Sequence, residues 1–279
     1  MKQGIHGHEA GDWDKIASTW TNERYSSGVL AEHKRKVYLD LITRWVDVAG
    51  SHCILKTDLF AEAFGPELFL FDIARLNSNI VGIDVSQEIV NLAKKNATHH
   101  GLDASQYACA DVRRLPFNDN SFDLIISDSS LDHFEDEDDI VVALRELARV
   151  LQDGGTLILT LDNSRNLTYP PYFFFRLWMR LGLSPYFIGR TLSLARLKKT
   201  LEDMNLHVAE STAIFHYPHP DGLVRWLERS MCKLGSGRFE NALRQFLARL
   251  DHLEQKPTKY LTGRYIAVKA VKSTEPAKV

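Results

Sequence analysis

The chain predicts an α/β fold built on a parallel, doubly wound sheet. Short apolar segments alternate with amphipathic helical ones at regular spacing from His52 onward. The second and third apolar segments each end on an acid, Asp84 and Asp111. Acids placed at the carboxyl ends of parallel strands suit a nucleotide-type pocket. At 279 residues the chain is long enough for one domain with a cap.

The elements follow in order. Residues 28–48 place Tyr38, Leu41, Ile42 and Trp45 on one helical face. HCILKT, 52–57, is the first strand, and 66–76 reads as a helix. NIVGID, 79–84, is the second strand; Ser86 caps a helix through Lys95, with Glu88 in its first turn. The third strand is 106–111 and the fourth 122–127. The next helix aligns Ile140, Leu144, Leu147 and Leu151, with Asp136, Glu137 and Asp138 at its positive end. A turn at Gly154-Gly155 leads into the fifth strand, 156–161. After Asn163 the rhythm breaks. An insert, 164–190, precedes a helix with Leu194, Leu197 and Leu201 on one side and a sixth strand, 206–215. A second insert, 216–258, holds two helices, one aligning Phe239, Leu243, Phe246 and Leu250. YIAVKAV, 265–271, is the last strand, followed by a polar tail. The expected division is an N-terminal helical lid (1–50), a core (51–163), a basic and aromatic insert (164–192), a core helix and strand (193–215), a helical insert (216–258) and the final strand with tail (259–279).

Composition narrows the function. Apolar residues make up 44% and charged residues 25%, the balance of an ordinary globular protein. The net charge of -2 implies no general affinity for polyanions, so no nucleic-acid partner is expected. Cys53, Cys109 and Cys232 form no zinc spacing, which suits a reducing compartment, and no metal site is expected. The polar start and the lack of a long uncharged apolar run favour a cytoplasmic protein. Two Asn-x-Thr triplets, at Asn96 and Asn166, are read as chance.

Several residues carry chemistry. Asp84, with Val85 beside it, stands where a carboxylate accepts from both hydroxyls of a ribose; the same acid also suits a helix cap. The segment after the first strand, ILKTDLFAEAFG, holds a cation and two acids, Lys56, Asp58 and Glu62, around Thr57. Either Asp58 or Glu62 takes a ligand ammonium while Lys56 takes a carboxylate, or Lys56 only pairs with Asp58 or solvent. His133 follows the fourth strand in SDSSLDHF and suits a proton acceptor; alternatively it starts a helix against the acidic run 135–139. From Asn163 to Leu201 there is no Asp or Glu, yet there are seven Arg or Lys and a series of aromatics including Tyr172. This pattern suits an apolar acceptor with an anionic group, or peripheral contact with an anionic bilayer through 164–190, or simply a cap whose Arg heads reach water. His216, Tyr217 and His219 lie in a proline-bounded loop, with His216 a substrate contact.

As an ensemble, CADVRRLPFNDNSFDLIISDSSLDHF followed by ALRELARVLQDGG resembles the class I S-adenosylmethionine-dependent methyltransferases, in the branch acting on quinone precursors, lipids and other small molecules. The LKTDL segment is atypical for that family, which places a glycine-rich loop there. The resemblance implies a Rossmann-like seven-stranded sheet with its last strand reversed, helical lid inserts, and S-adenosylmethionine as cofactor. It implies that Asp111 sits beside the adenine and the backbone of Val112 bonds a ring nitrogen. It implies that Ser127 and Asp128 touch the cofactor, that His133 faces the acceptor, and that Tyr25 belongs to a leading helical lid. Arg190 joins the expected acceptor contacts. The expected activity is methyl transfer to a small or lipid-like acceptor. The rival expectations are a non-catalytic partner that keeps the fold, and an enzyme using another nucleotide-like cofactor.

Overall fold

The computed structural model describes residues 10–19, 28–65, 68–169, 189–217 and 237–274, with 171, 173, 174 and 177 between them. Its elements are α1 (Ala10–Thr19), α2 (Val29–Trp45), β1 (Ile54–Lys56), α3 (Phe60–Phe64), α4 (Phe69–Leu76), β2 (Ile80–Asp84), α5 (Gln87–His99), β3 (Tyr107–Cys109), β4 (Phe122–Asp128), α6 (Glu137–Val150), β5 (Leu151–Asp162), α7 (Leu194–Glu202), β6 (Leu206–Ile214), α8 (Gly237–Asp251), α9 (Lys259–Thr262) and β7 (Tyr265–Lys272).

Among the described residues the strands form one seven-stranded sheet in the order β3-β2-β1-β4-β5-β7-β6. β3, β2, β1, β4 and β5 run parallel, and β7 runs antiparallel to both β5 and β6. This is the class I methyltransferase arrangement, with the last strand reversed as expected. Side chains alternate across each strand, so successive residues feed opposite cores. Ile54, Ile80, Leu124, Ile126 and Ile158 pack with Leu41 and Ile42 of α2, Phe71 and Ile73 of α4, and Ile89 and Ala93 of α5. Leu55, Ile83, Ile125, Leu157 and Leu159 pack with Ile140, Leu144 and Leu147 of α6 and Leu197 and Leu201 of α7. Both faces of the central strands are therefore dry, which is why they read as continuous apolar runs.

Local chemistry sets the helix starts. The Ser86 hydroxyl accepts from Ile89 N–H, and Ser193 accepts from Arg196 N–H. α6 opens with Glu137, Asp138 and Asp139 and closes with Arg149, each sign matched to the helix dipole. Two boundaries differ from expectation. The helix expected over 66–76 spans Phe69–Leu76, and the loop before it holds the unforeseen short α3. β5 starts at Leu151, because Gly154-Gly155 does not end the strand. Gly154 takes φ +79 and the β4–β5 register shifts between Phe122 and Leu124, so the pair makes an irregularity inside a continuing strand.

The chain runs outward from β1 to β3, then returns to place β4 on the other side of β1. That reversal opens a crevice at the carboxyl ends of β1 and β4. Ser129 turns the chain out of β4 with φ +48, a conformation few non-glycine residues adopt, and its N–H is held by Thr160 O and Thr160 Oγ1.

Candidate cofactor crevice

The crevice is walled by residues at the carboxyl ends of the strands. Thr57 and Asp58 come just after β1, Asp84 and Val85 close β2, Asp111 and Val112 lie beyond β3, and Ser130 and His133 lie beyond β4. Trp13 of α1 and Phe60 of α3 close its rim. Its empty space is about 590 Å³, counted together with the solvent it opens to. Of the residues expected there, Thr57, Asp58, Asp84, Val85, Asp111, Val112 and His133 are brought together.

Asp84 is held rigidly. Its Oδ1 accepts from Ser86 N–H at 2.9 Å and its Oδ2 from Leu59 N–H at 3.1 Å. Each oxygen keeps a second lone pair, so a pair of ribose hydroxyls has acceptors. Burial, and then the charge of Asp58, push the Asp84 carboxyl up to about 7 against those two backbone bonds.

Lys56 does not reach the crevice, which corrects the expectation that it meets a ligand carboxylate. Its side chain is fully buried. Its ammonium lies 3.2 Å from Glu62 Oε2, 3.2 Å from Asp128 Oδ1 and 4.9 Å from the Phe69 ring centre, and it donates to the Asp58 carbonyl. Burial works to strip its proton, and the charges of Asp128, Glu62 and Asp58 override that and raise its pKa. Burial raises Asp128 to about 8 and raises Glu62 as well, with Lys56 opposing both. One cation thus serves several carboxylates, and they do not all ionise together near neutral pH. Glu62 is as buried as Lys56, so Asp58 is the acid of this segment that faces a ligand. Ser127 and Asp128 likewise sit under the crevice, not on its wall.

Above this layer three hydroxyls close on one another. Thr57 Oγ1 lies 3.0 Å from Ser127 Oγ and 3.1 Å from Ser130 Oγ, and the two serine oxygens are 3.0 Å apart. Asp111 is less free than expected. Arg113 grips its carboxylate through Nε and Nη2 at 2.7–3.1 Å, reaches Asp139 at 3.3 Å, and lies over the Phe134 ring. The adenine role expected of Asp111 therefore falls to whatever lone pairs Arg113 leaves.

His133 ends a 3₁₀ turn, Leu131–His133, and its ring meets Trp13 edge to face at 5.1 Å. Trp13 also meets Phe60 at 6.0 Å. α1 is tied down beside them, since Asp14 accepts from Ser86 Oγ at 2.5 Å and from Glu88 N–H at 3.3 Å. The leading segment that holds Trp13 was expected to close over the cofactor; Phe60 and Ser130 were missed as wall residues. The serine run SDSS was the available signal for Ser130; nothing local marked Phe60.

The expected acceptor contacts fare differently. His216 is buried away from the crevice, bonded to Thr262 Oγ1 at 2.8 Å and Ala213 O at 3.0 Å, and burial lowers its pKa. Its place is in the core, not against a substrate. Arg190 is exposed, and its N–H donates to Phe134 O at 2.7 Å beside the His133 turn. Tyr25 and Tyr172 lie outside the described residues, as do His219 and the first helix expected in 216–258. Asn166 is buried, with its amide donating to Thr262 O and Gly263 O. Among the described residues no cluster has metal-ligating composition, and no helix is long and apolar enough to cross a membrane.

The methyltransferase domain family matches residues 63–159. The chain is 31% identical over 131 residues to the methyltransferase GfsG of Streptomyces halstedii, covering 47% of this chain and 44% of that one. It is 30% identical over 115 residues to the ubiquinone/menaquinone biosynthesis C-methyltransferase UbiE of Hahella chejuensis, covering 41% of each. The chain thus spans less than half the length of these relatives. Among solved structures, phosphoethanolamine N-methyltransferase 2 of Haemonchus contortus, in complex with phosphomonomethylethanolamine and S-adenosylhomocysteine, superposes with a TM-score of 0.58 at 18% identity, over 86% of this chain and 53% of that one. That likeness speaks to the fold alone. Sheet order, crevice and family match agree: residues 63–159 match the methyltransferase domain family and carry the class I methyltransferase fold.

Proposed function

We propose that this chain transfers a methyl group from S-adenosylmethionine to a small or lipid-like acceptor that carries an anionic group. The observation that carries the reading is Asp84, anchored by two backbone N–H groups at the end of β2 with lone pairs to spare, in one crevice with Asp58 and Asp111. The cofactor supplies a methyl carbon already activated for in-line attack. The chain's own work is then to position, exclude water and take a proton. Asp84 holds the ribose. Thr57 and Ser130 offer hydroxyls, and Asp58 an acid, to the amino-acid end. Trp13 and Phe60 cover the crevice.

His133 receives the acceptor's proton, held edge-on by Trp13. The acceptor enters over Trp13 and His133. The name of one relative, a ubiquinone/menaquinone biosynthesis C-methyltransferase, supports an acceptor of this size and character. Phe173, Phe174 and Leu177 are exposed within a stretch rich in Arg and free of acids, which supports peripheral contact of 164–190 with an anionic bilayer from the cytoplasmic side.

Calorimetry of the full chain with S-adenosylmethionine and S-adenosylhomocysteine tests the reading; no heat from either at high concentration would overturn it in favour of a non-catalytic partner. With binding established, His133→Ala should cut turnover by about 10²-fold at unchanged cofactor affinity. Turnover at the wild-type rate would make His133 structural.

A further inference from the structure

The layer beneath the crevice is unusual in its charge balance. Among the described residues, Lys56 of β1 is its single cation. Around it stand Asp58 on the β1–α3 loop, Glu62 on α3, Asp84 on β2 and Asp128 on β4. From β3 the Tyr107 phenol adds a neutral group, its pKa raised by burial and then by Glu62. The other titratable groups of the wall are placed elsewhere. Asp111 is gripped by Arg113, His133 faces Trp13, and Asp14 of α1 is bonded to Ser86 and the Glu88 N–H. The inner layer therefore holds four carboxylates to one ammonium. Of the four, Asp58 and Asp84 reach the crevice wall. Glu62 Oε1 is buried with no hydrogen-bond partner, so even the inner carboxylates are short of donors.

We infer that this carboxylate-rich floor selects a cationic sulfonium cofactor over its neutral thioether product, and releases protons when the cation binds. The inference rests on the methyl-transfer reading and adds what this chain's own residues contribute to it. S-Adenosylmethionine and S-adenosylhomocysteine share the ammonium, the carboxylate and the nucleoside, and differ by the sulfonium charge. Hydrogen bonds to the shared parts bind both alike. Only a field set by the protein tells them apart. With Lys56 already occupied by Glu62 and Asp128, the carboxyls of Asp58 and Asp84 are left to face the ligand. In the ligand-free protein Asp84 and Asp128 hold protons near neutrality, up to about 7 and 8, and a nearby cation drives those protons off. Product leaves more readily for the same reason: once the methyl is gone, so is the charge that the floor favours.

Calorimetry on the full chain decides it, run at pH 6.0 and 7.2 in two buffers of different ionisation enthalpy. Both values lie below the α-amino range of about 7.7–8.0, so the ligands' own ammonium stays charged. The ligands are S-adenosylmethionine, S-adenosylhomocysteine, and the analogue that carries an amine in place of the sulfonium. The two cations should each release a larger fraction of a proton than the thioether. Their affinity should rise about threefold or more from pH 6.0 to 7.2, and that of the thioether by less than about twofold. Asp58→Asn should weaken all three ligands through the ammonium they share, and the two cations about tenfold more than the thioether. Equal proton release by all three ligands would overturn the inference and leave the methyltransferase reading intact. Loss of both cation and thioether affinity in equal measure on Asp58→Asn would do the same. If none of the three binds, the methyl-transfer reading falls first. If the variant does not fold, the wild-type comparison of cation with thioether still decides.

Discussion

At the scale of single residues, Asp84 and Lys56 show opposite uses of a buried charge. Asp84 is fixed by Leu59 and Ser86 N–H groups and faces the ligand. Asp84→Ala removes two charge-assisted acceptors from the ribose, each worth about 1.5–3 kcal/mol. S-Adenosylhomocysteine affinity, read by equilibrium dialysis, should fall by about 10²-fold or more; a dissociation constant equal to wild type would remove Asp84 from the ligand. Lys56 faces inward and acts on stability. Lys56→Met leaves Glu62 and Asp128 buried without their cation, a change that costs about 3–5 kcal/mol when a buried pair is broken one-sidedly. The loss should be larger at pH 8 than at pH 6, because at the lower value the two carboxyls escape by protonation. Urea midpoints of the two proteins at both pH values check this, and equal midpoints would show that Lys56 contributes no net stability.

At the scale of elements, the strands were legible because their period and length are local properties. Ile80–Asp84 and Phe122–Asp128 are short apolar runs with acids at their ends, and buried parallel strands require no more. The antiparallel β7 between β5 and β6 was reachable only through family resemblance, since strand order is not written in period. Lys56 was misjudged for a related reason. Its partners come from α3 and from β4, and neither contact is implied by the segment around it. His216 was misjudged because a histidine in a proline-bounded loop looks exposed, whereas Thr262 and the Ala213 carbonyl bury it. Trp13 was visible as an aromatic of the leading helix, but its place against His133 needed the tertiary fold. The return of the first insert makes a sharper case. Gly189 N–H donates to Asp132 O, and a Cβ at Gly189 would lie 2.2 Å from Phe134 O and 2.6 Å from His133 C. Those atoms are backbone and cannot swing aside. Gly189→Ala should therefore displace the 131–133 turn, lowering the melting temperature and reducing turnover more than cofactor affinity. Wild-type turnover in this variant would show that the turn and the insert move independently.

At the scale of the whole molecule, these buried groups set how stability depends on pH. Burial raises Asp84 to about 7, and raises Asp128 and Asp162 to about 8, with the charge of Asp132 adding to the last. In the unfolded chain the same carboxyls titrate near 4. Burial acts the other way on histidine, lowering His33 to about 4 and lowering His216. Below about pH 6.5 the two effects oppose each other, because unfolding frees His33 and His216 to bind protons while it sheds the carboxyl protons. Above about 6.5 less than half of the unfolded histidines are protonated, a share that falls off quickly, so the carboxyls dominate up to about 8. There the folded chain binds more protons than the unfolded one, so stability falls as pH rises. Each proton so held changes stability by about 1.4 kcal/mol per pH unit, and each kcal/mol moves the melting temperature of a chain this size by about 2–4 °C. The melting temperature of the ligand-free protein should therefore drop by several degrees from pH 6.5 to 8. With saturating S-adenosylmethionine the drop should shrink, because a cation above the floor already holds Asp84 and Asp128 in their ionised form. Differential scanning calorimetry across that window checks both halves; a profile that stays flat without ligand would mean that the carboxyls around Lys56 are ionised in the folded chain and that the floor has no protons to release.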